Sequence, residues 1–493
     1  MNTYTKTEKN AYFFGMLGQN MLYTVIGTGL AYYFQSVIFL PSMAISAIFL
    51  LSKIFDAIKD PIIGNLIDRT HSKWGKCRPY LIFSPIAVCL FSVLLFINGT
   101  YTSQNSLRVK IFIIVWAAVI YFFWGLAFTF ADVPLWTLPS LMTENEHDRN
   151  KLMALARIAA AIGAGLVSVL IIPISQALGN VFSVKTGDNE KGLKTGVIVV
   201  AVVLIIIGTV IFQSAGLFSK ERVKQVNNNS ISLKESFRIM WECKPFRKLM
   251  LSGLLRSPSM LMGVVQMTLF TYYFGDNGRM SYIQYFLLLG GGNVAGVFLA
   301  TFITPKIIEK TEKHKLYNIF SIVFAVPFLS IFILYILYPS ELNMPLQLSA
   351  FFILMSIAGF GQGVLSVLHS IMTADAVDYH EYHTGHRPDG VFFSGQTLLL
   401  KISTGISSAI SGIVYAIAGF SGDGVKTVNK LLYDGASFKS DPIFAKYRFV
   451  IFFLFSIPAA LGILLSILPM RKYPLSDTQH KQILEELIKK KNL

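Results

Sequence analysis

Hydrophobic residues in this chain come in long runs. Val197 to Gly216 is twenty residues long with one Gln and no charge, and Val450 to Met470 has no charge at all. Each is long enough to cross the ~30 Å hydrocarbon core as a helix. The same pattern predicts spans near 11–38, 42–66, 80–99, 110–133, 150–178, 195–218, 247–275, 281–304, 316–338, 346–376, 390–419 and 449–470. The apolar stretch behind Lys6 and Lys9 runs from about Ala11 to Leu40. It is too long for the core of a cleavable secretory signal and reads as the first span. The expected fold class is an all-α membrane protein with 12 transmembrane helices.

Composition agrees. Of 493 residues, 53% are hydrophobic and only 14% charged, against about 25% charged in a soluble protein. An even number of spans puts both termini on one side. Of the 43 Lys and Arg, 27 fall in the tails and the loops after even-numbered spans, 11 in the opposite loops and 5 within spans. The excess predicts that both termini are cytoplasmic. Cytoplasmic loops lie against anionic lipid, so the net charge of +16 requires no nucleic acid. A basic stretch divides the chain. The expected domains are an N-terminal six-helix half over 1–219, a cytoplasmic linker over 220–246, a second six-helix half over 247–471 and a cytoplasmic tail over 472–493. Within the linker, Ser230 to Trp241 reads as a short amphipathic helix on the membrane surface. The halves echo each other. Ile67-Asp68-Arg69-Thr70 precedes Lys73, Lys76 and Arg78, and Ile308-Glu309-Lys310-Thr311 precedes Lys313 and Lys315. Two such halves are the architecture of rocking transporters, with substrate held between them at mid-membrane.

A charge inside a span costs at least ~2.5–3.5 kcal/mol on insertion scales, so it needs a reason to be there. Span 2 has Lys53, Asp56, Lys59 and Asp60. Asp56 and Asp60, at i and i+4, share one helical face. Two such carboxylates do not comfortably both ionise without a cation nearby, which is the physical basis of ion coupling. The structural alternative is that Lys53 and Lys59, each three residues from Asp56, simply pair with the acids. Span 4 brings Thr129, Asp132, Pro134 and Trp136 together at its expected end. A carboxylate beside an indole can hold a sugar, the acid accepting from hydroxyls and the ring stacking on C–H faces. A helix-terminal acid with an interfacial tryptophan would look the same. Arg157 in span 5 and Lys401 in span 11 are expected as cationic partners of these acids. Arg256 in span 7 is expected to snorkel to the interface.

The junction of spans 10 and 11 clusters Asp375, Asp378, His380, Glu381, His383 and His386. No pair has metal-site spacing, so a charged gate or structural loop is expected and no metal. Cys77, Cys89 and Cys243 are odd in number and read as reduced, unpaired thiols. There is no phosphate loop, no His-Glu-x-x-His and no soluble domain to house an active site, so no enzyme and no cofactor is expected beyond a coupling ion, H+ or Na+.

Several segments together resemble one family. They are Tyr12-Phe-Phe-Gly15-Met-Leu-Gly18, Phe55-Asp56-Ala-Ile-Lys59-Asp60-Pro61-Ile-Ile-Gly64, and Arg69 through Lys73-Trp74-Gly75-Lys76-Cys-Arg78-Pro79. Others are Trp124-Gly125 through Asp132-Val-Pro134-Leu-Trp136, Arg157, Asp375-Ala-Val-Asp378-Tyr379-His-Glu381-Tyr382, and Gln396-Thr397 through Lys401. In this order they resemble the glycoside–pentoside–hexuronide:cation symporters of the major facilitator superfamily. The resemblance implies two pseudo-symmetric six-helix bundles that take up a sugar with a cation by alternating access in the cell membrane. It implies Asp56 and Asp60 as cation ligands with Thr129 nearby, Asp132, Trp136 and Arg157 as sugar contacts, and Lys401 as a link between the two sites. Asp68, Arg69, Arg78, Asp375, Asp378 and Glu381 are assigned to a cytoplasmic gating network, and a monomer is expected. Gln19-Asn20 and Lys59 depart from the family's pattern. Gln19-Asn20 replaces a basic residue and a sugar-binding aspartate, which leaves Asn20 as a neutral hydrogen-bonding contact. Lys59 stands where sodium-using members tend to have asparagine, and an ammonium there opposes bound Na+. Protons are therefore expected to drive transport, unless Lys59 points to lipid. The competing expectations are an exporter of amphipathic drugs or lipids and a non-transporting receptor or scaffold.

Overall fold

The computed structural model describes residues 4–70, 72–143, 145–222, 233–275, 282–386 and 388–491. Among them the chain is helical and has no strand, as expected where lipid cannot satisfy backbone groups and each segment must bond internally. The first six helices are α1 (Lys6–Thr24), α2 (Ser42–Asp68), α3 (Arg78–Phe96), α4 (Leu107–Met142), α5 (Glu146–Thr186) and α6 (Asn189–Phe218). Two π-helical turns, Val25–Leu30 and Tyr33–Val37, prolong α1. Then come α7 (Leu233–Glu242), α8 (Lys244–Leu255), α9 (Leu261–Thr268), α10 (Tyr282–Tyr285), α11 (Gly291–Ile308) and α12 (Lys313–Leu337). The chain continues through α13 (Pro345–Thr384), α14 (Asp389–Ala418), α15 (Asp423–Tyr433), α16 (Ala445–Leu465), α17 (Ile467–Met470) and α18 (Asp477–Lys491). It divides into two compact units, 1–230 with 419–430, and 231–418 with 431–493.

Nine helical stretches among the described residues are long and apolar enough to cross a membrane. The other three expected spans are helical too, but polar residues interrupt their apolar runs. These are Gln19, Asn20 and Gln35 in the first, four charges in the second, and Arg256 with several serines in the seventh. Small residues set the closest helix crossings, as is usual where packing, not water, drives association. In the first unit a Cβ on Gly18 would lie 2.5 Å from the Gly208 carbonyl. In the second, one on Gly296 would lie 2.1 Å from the Ser356 carbonyl.

Several boundaries differ from expectation. α4 does not end near 133 but runs through Pro134 and Pro139 to Met142, so Asp132 and Trp136 are mid-helix. Membrane helices tolerate such prolines because neighbours satisfy the freed backbone groups. Likewise α13 continues to Thr384 and stops only at Gly385, whose φ of +73° suits glycine. Asp375 to His383 is therefore helix, not loop. The expected tail contains α18, packed through Leu475, Ile483 and Leu487 against Tyr379, Tyr382 and Tyr473. Of the expected linker helix, Leu233–Glu242 is helical and 230–232 lies outside the described residues.

Candidate substrate and cation site

Four charges on α2 are bearable only if they find partners, and the structure supplies them within the first unit. Lys59 is 4% exposed and turns inward, toward α4. Its ammonium lies 2.8 Å from Asp56 Oδ1. It donates to Thr129 Oγ1 at 2.9 Å and to the Gly125 carbonyl. Gly125 permits this approach, because a Cβ there would sit 3.3 Å from Nζ. Thr129 in turn can donate to Asp60 Oδ1 at 3.0 Å, and Lys53 lies 3.3 Å from Asp56 Oδ2. The alternative in which Lys59 points to lipid is thus overturned. A fixed ammonium sits among the oxygens of Asp56, Thr129 and Gly125, with Asp60 one hydroxyl away.

One turn further along α4 lies a second polar group. Asp132 Oδ1 accepts from Trp136 Nε1 at 3.0 Å and from Gln19 Nε2 at 2.8 Å. Oδ2 has no donor among the described residues and can accept a substrate hydroxyl. Asn20 Nδ2 donates to Gln19 Oε1 at 2.6 Å and to the Met16 carbonyl, which fixes the amide so that its NH2 faces the acid. Tyr12 is fully buried, and its hydroxyl has no hydrogen-bond partner among the described residues. Sequence reasoning passed over Gln19 and Tyr12 as site residues. Neither carries a charge whose cost would flag it, although both stand in a segment quoted for the resemblance or beside one.

Other expected residues are placed differently. Arg157 is exposed on α5 and pairs with none of these acids. Lys401 is on α14, in the other unit, partly buried. Arg256 is half-buried, with its guanidinium 5.8 Å from the Tyr317 ring centroid.

Three of the expected gating residues, Arg78, Asp375 and Asp378, fall into two similar clamps. Arg78 opens α3, and its side chain donates to the Gly216 and Leu217 carbonyls at the end of α6. Glu221, just beyond α6, accepts from the backbone N–H groups of Lys76, Cys77 and Arg78 at 2.8–2.9 Å. Each charge thus offsets the dipole of the other helix. In the second unit Lys313 opens α12 and binds Asp375 at 2.5 Å. Asp477, at the start of α18, accepts from the Lys313 backbone N–H at 3.1 Å. His480 bridges Asp375 and Asp378, at 3.6 and 3.0 Å. Glu381 is buried on the same helix. Arg69 is exposed, and the Asp68 side chain lies outside the described residues. The repeated charge motif noted in the sequence therefore precedes the same device twice: a base opening a helix, capped by an acid from beyond the unit's last span. Beside the first clamp, Arg222 reaches Glu8 at 2.8 and 3.0 Å. Burial alone would raise the Glu8 pKa, but Thr5 and Arg222 outweigh it and hold the carboxyl below its usual range. No disulfide joins the three cysteines among the described residues, and burial pushes the Cys243 thiol up to about 11.

Long apolar helices around a buried cluster of charge and hydrogen-bonding groups mark a multi-pass membrane protein. The family described as MFS/sugar transport protein matches residues 11–477, and the chain belongs to it. It is 26% identical to the uncharacterized symporter YjmB of Bacillus subtilis, over 98% of this chain and 95% of that one. It is 25% identical to the isoprimeverose transporter of Lactiplantibacillus pentosus, over 84% and 81%. With the lactose permease of Lactobacillus delbrueckii it shares 24%, over 97% and 72%. Solved structures share the fold. The nucleoside transporter NupG superposes with a TM-score of 0.57 at 14% identity, covering 91% of this chain and 98% of that one. A bacterial homolog of the human lysosomal transporter Spinster gives 0.56 at 12% identity, covering 98% and 96%.

Proposed function

We propose that the protein takes up a sugar, a glycoside, pentoside or disaccharide, by symport with a proton through alternating access. The names of its relatives support a sugar as substrate. The observation that carries the choice of ion is the Lys59 ammonium among Asp56, Thr129 and Gly125. A sodium ion needs those oxygens, and the ammonium has them already. A proton needs only one acceptor. Lys53, Lys59, Asp56 and Asp60 sum to zero charge when all are ionised. One added proton changes that sum and the cost of holding the cluster in each conformation. In this reading Asp60 carries the proton and Asp132 accepts sugar hydroxyls through Oδ2. Trp136 offers the ring face, and Asn20 and Arg157 add polar contacts. Lys401 is assigned a role in substrate binding. All twelve helical stretches cross the membrane, both termini are cytoplasmic, the halves meet at the 220–246 linker, and the monomer is the working unit. An exporter of drugs or lipids would have no use for this polar cluster.

The test is proton movement in reconstituted vesicles on adding isoprimeverose, lactose, raffinose or a glucuronide, with and without sodium. Alkalinisation outside on adding one sugar, unchanged by sodium, is expected. Uptake of a labelled sugar that requires sodium and moves no protons would overturn the choice of ion.

A further inference from the structure

A row of aromatic rings runs along α4 toward the polar group at Asp132. Trp124 is pinned from α3, its Nε1 donating to Ser92 Oγ at 3.0 Å. The Trp124 ring stacks on Tyr121, with centroids 5.5 Å apart, and on Phe128 at 5.1 Å. Phe128 in turn meets Tyr23 of α1, with centroids 5.4 Å apart and planes tilted by 40°. Tyr121, Trp124 and Phe128 are buried and close-packed, so the row is firm. Tyr23 ends it and alone of the four is open, at 44% exposed. The neighbours of α1 show which way that ring faces. Cβ atoms on Gly15 and Gly18 would strike Ala215 and the Gly208 carbonyl of α6, and one on Gly163 of α5 would strike the Leu17 carbonyl. Gln19 reaches α4. The face left uncovered carries Asn20, Tyr23 and Gly27, at i, i+3 and i+7. An amide on that face argues against lipid, where a polar side chain is costly.

Tyr23 thus stands one turn past Gln19 on α1, against Phe128, which lies one turn before Asp132 on α4. Trp136 lies one turn after Asp132 and is half-buried, its Nε1 donating to Asp132 Oδ1 at 3.0 Å. The acid is therefore flanked by an aromatic ring on each side. From Phe128 to Trp136 the helix rises about 12 Å. That is longer than one pyranose ring and is matched by two joined rings. We propose that Tyr23 is a second stacking platform and that the substrate is a disaccharide, one ring over Trp136 and the other over Tyr23, with hydroxyls near the linkage held by Asp132 Oδ2. Each aromatic face takes the C–H face of one sugar ring, and the acid between them sets the orientation of the pair. The inference rests on the sugar-uptake reading and narrows its substrate to two linked rings. Tyr23 then determines specificity: it distinguishes a disaccharide from either of its halves.

Titration calorimetry on the purified protein, at fixed pH and sodium, tests this. Lactose and isoprimeverose are compared with galactose, xylose and glucose. Wild type should bind one of the disaccharides at least about tenfold more tightly than any of the monosaccharides, the worth of one added ring contact. Tyr23→Ala should erase that preference, weakening the disaccharide about tenfold and leaving the monosaccharides unchanged. Tyr23→Phe keeps the ring and should behave as wild type, which separates a lost platform from a misfolded protein. Trp136→Ala should weaken both kinds of sugar. A disaccharide bound no more tightly than a monosaccharide, or Tyr23→Ala lowering both alike, would overturn the second platform and leave sugar uptake standing. If none of the five sugars binds wild type, the uptake reading itself fails, and the platform with it.

Discussion

Replacing Lys59 by Asn removes the ammonium that joins α2 to α4. Natively that ammonium meets Asp56 at 2.8 Å, Thr129 at 2.9 Å and the Gly125 carbonyl. The pair is buried, with side chains 5% and 10% exposed. Removing one partner of a buried pair costs about 3–5 kcal/mol, mainly because the other charge is left uncompensated. Lys53 still lies 3.3 Å from Asp56, so the low end, about 3 kcal/mol, is expected. The space left behind is ringed by the oxygens of Asp56, Thr129 and Gly125, with Asp60 adjacent, a set suited to a hard cation. Sodium at a hundred times its dissociation constant would return about 2.7 kcal/mol, nearly the whole loss. The assay is thermal unfolding of purified wild type and variant in choline chloride and in sodium chloride at equal ionic strength. The variant should melt lower in choline and recover in sodium, while the wild type should not respond to sodium. A variant as stable as wild type in choline would refute the role given to Lys59. So would sodium stabilisation of the wild type, because the ammonium would then not hold the cation position.

Asp132→Asn and Gln19→Leu should both fold, and both should weaken sugar binding at least about tenfold by calorimetry, since each removes part of a hydrogen-bonded charge site; normal affinity in Gln19→Leu would mean that the amide does not orient Asp132. Asp60→Asn should lose accumulation against a gradient but keep sugar exchange, measured as counterflow in vesicles. Glu8 has a lowered folded-state pKa, so its stabilisation is complete above the unfolded value and lost as pH falls through the folded one. Arg222→Ala should therefore cost about 1 kcal/mol near pH 7 and progressively less as pH falls through the folded-state pKa of Glu8, in denaturant or thermal melts. Glu221→Ala removes the cap from α3 and should cost about 1–2 kcal/mol. Gly75→Ala should cost at least as much, because it combines a φ of +106° with a Cβ 2.4 Å from the Glu221 carboxyl carbon.

Buried charge was the legible part of the site. Asp56, Asp60, Lys59 and Asp132 stood out because an ionisable group in an apolar run has a known cost and must be compensated. The compensating partners were less legible. Gln19 carries no charge, and its role depends on a contact with Asp132, 113 positions away. Lys59 could be read two ways, since spacing on α2 shows which face it shares but not what faces it. Arg157 and Lys401 looked like partners for the acids, yet Asp56 is met by lysines of its own helix, Asp60 by Thr129, and Asp132 by Gln19 and Trp136. The clamps follow the same logic. The repeated Asp-Arg and Glu-Lys motifs were visible, but Glu221 and Asp477 cap them from beyond the last span of each unit, and nothing local marks either residue.

From the sequence alone, periodicity and composition determined that the chain is helical and lives in lipid, because runs of twenty apolar residues have no other stable environment. The placing of Lys and Arg carried its expected orientation, and the cost of intramembrane charge located the chemistry on spans 2 and 4. Only the tertiary structure decided where α4 and α13 end, because the bonds that carry a helix past Pro134 or through His380 depend on its neighbours. It also decided that Lys59 faces α4, that Gln19 holds Asp132, and that residues 419–430 pack with the first unit. Each of these is a meeting of side chains far apart in the chain, and such a meeting has no local signature to read.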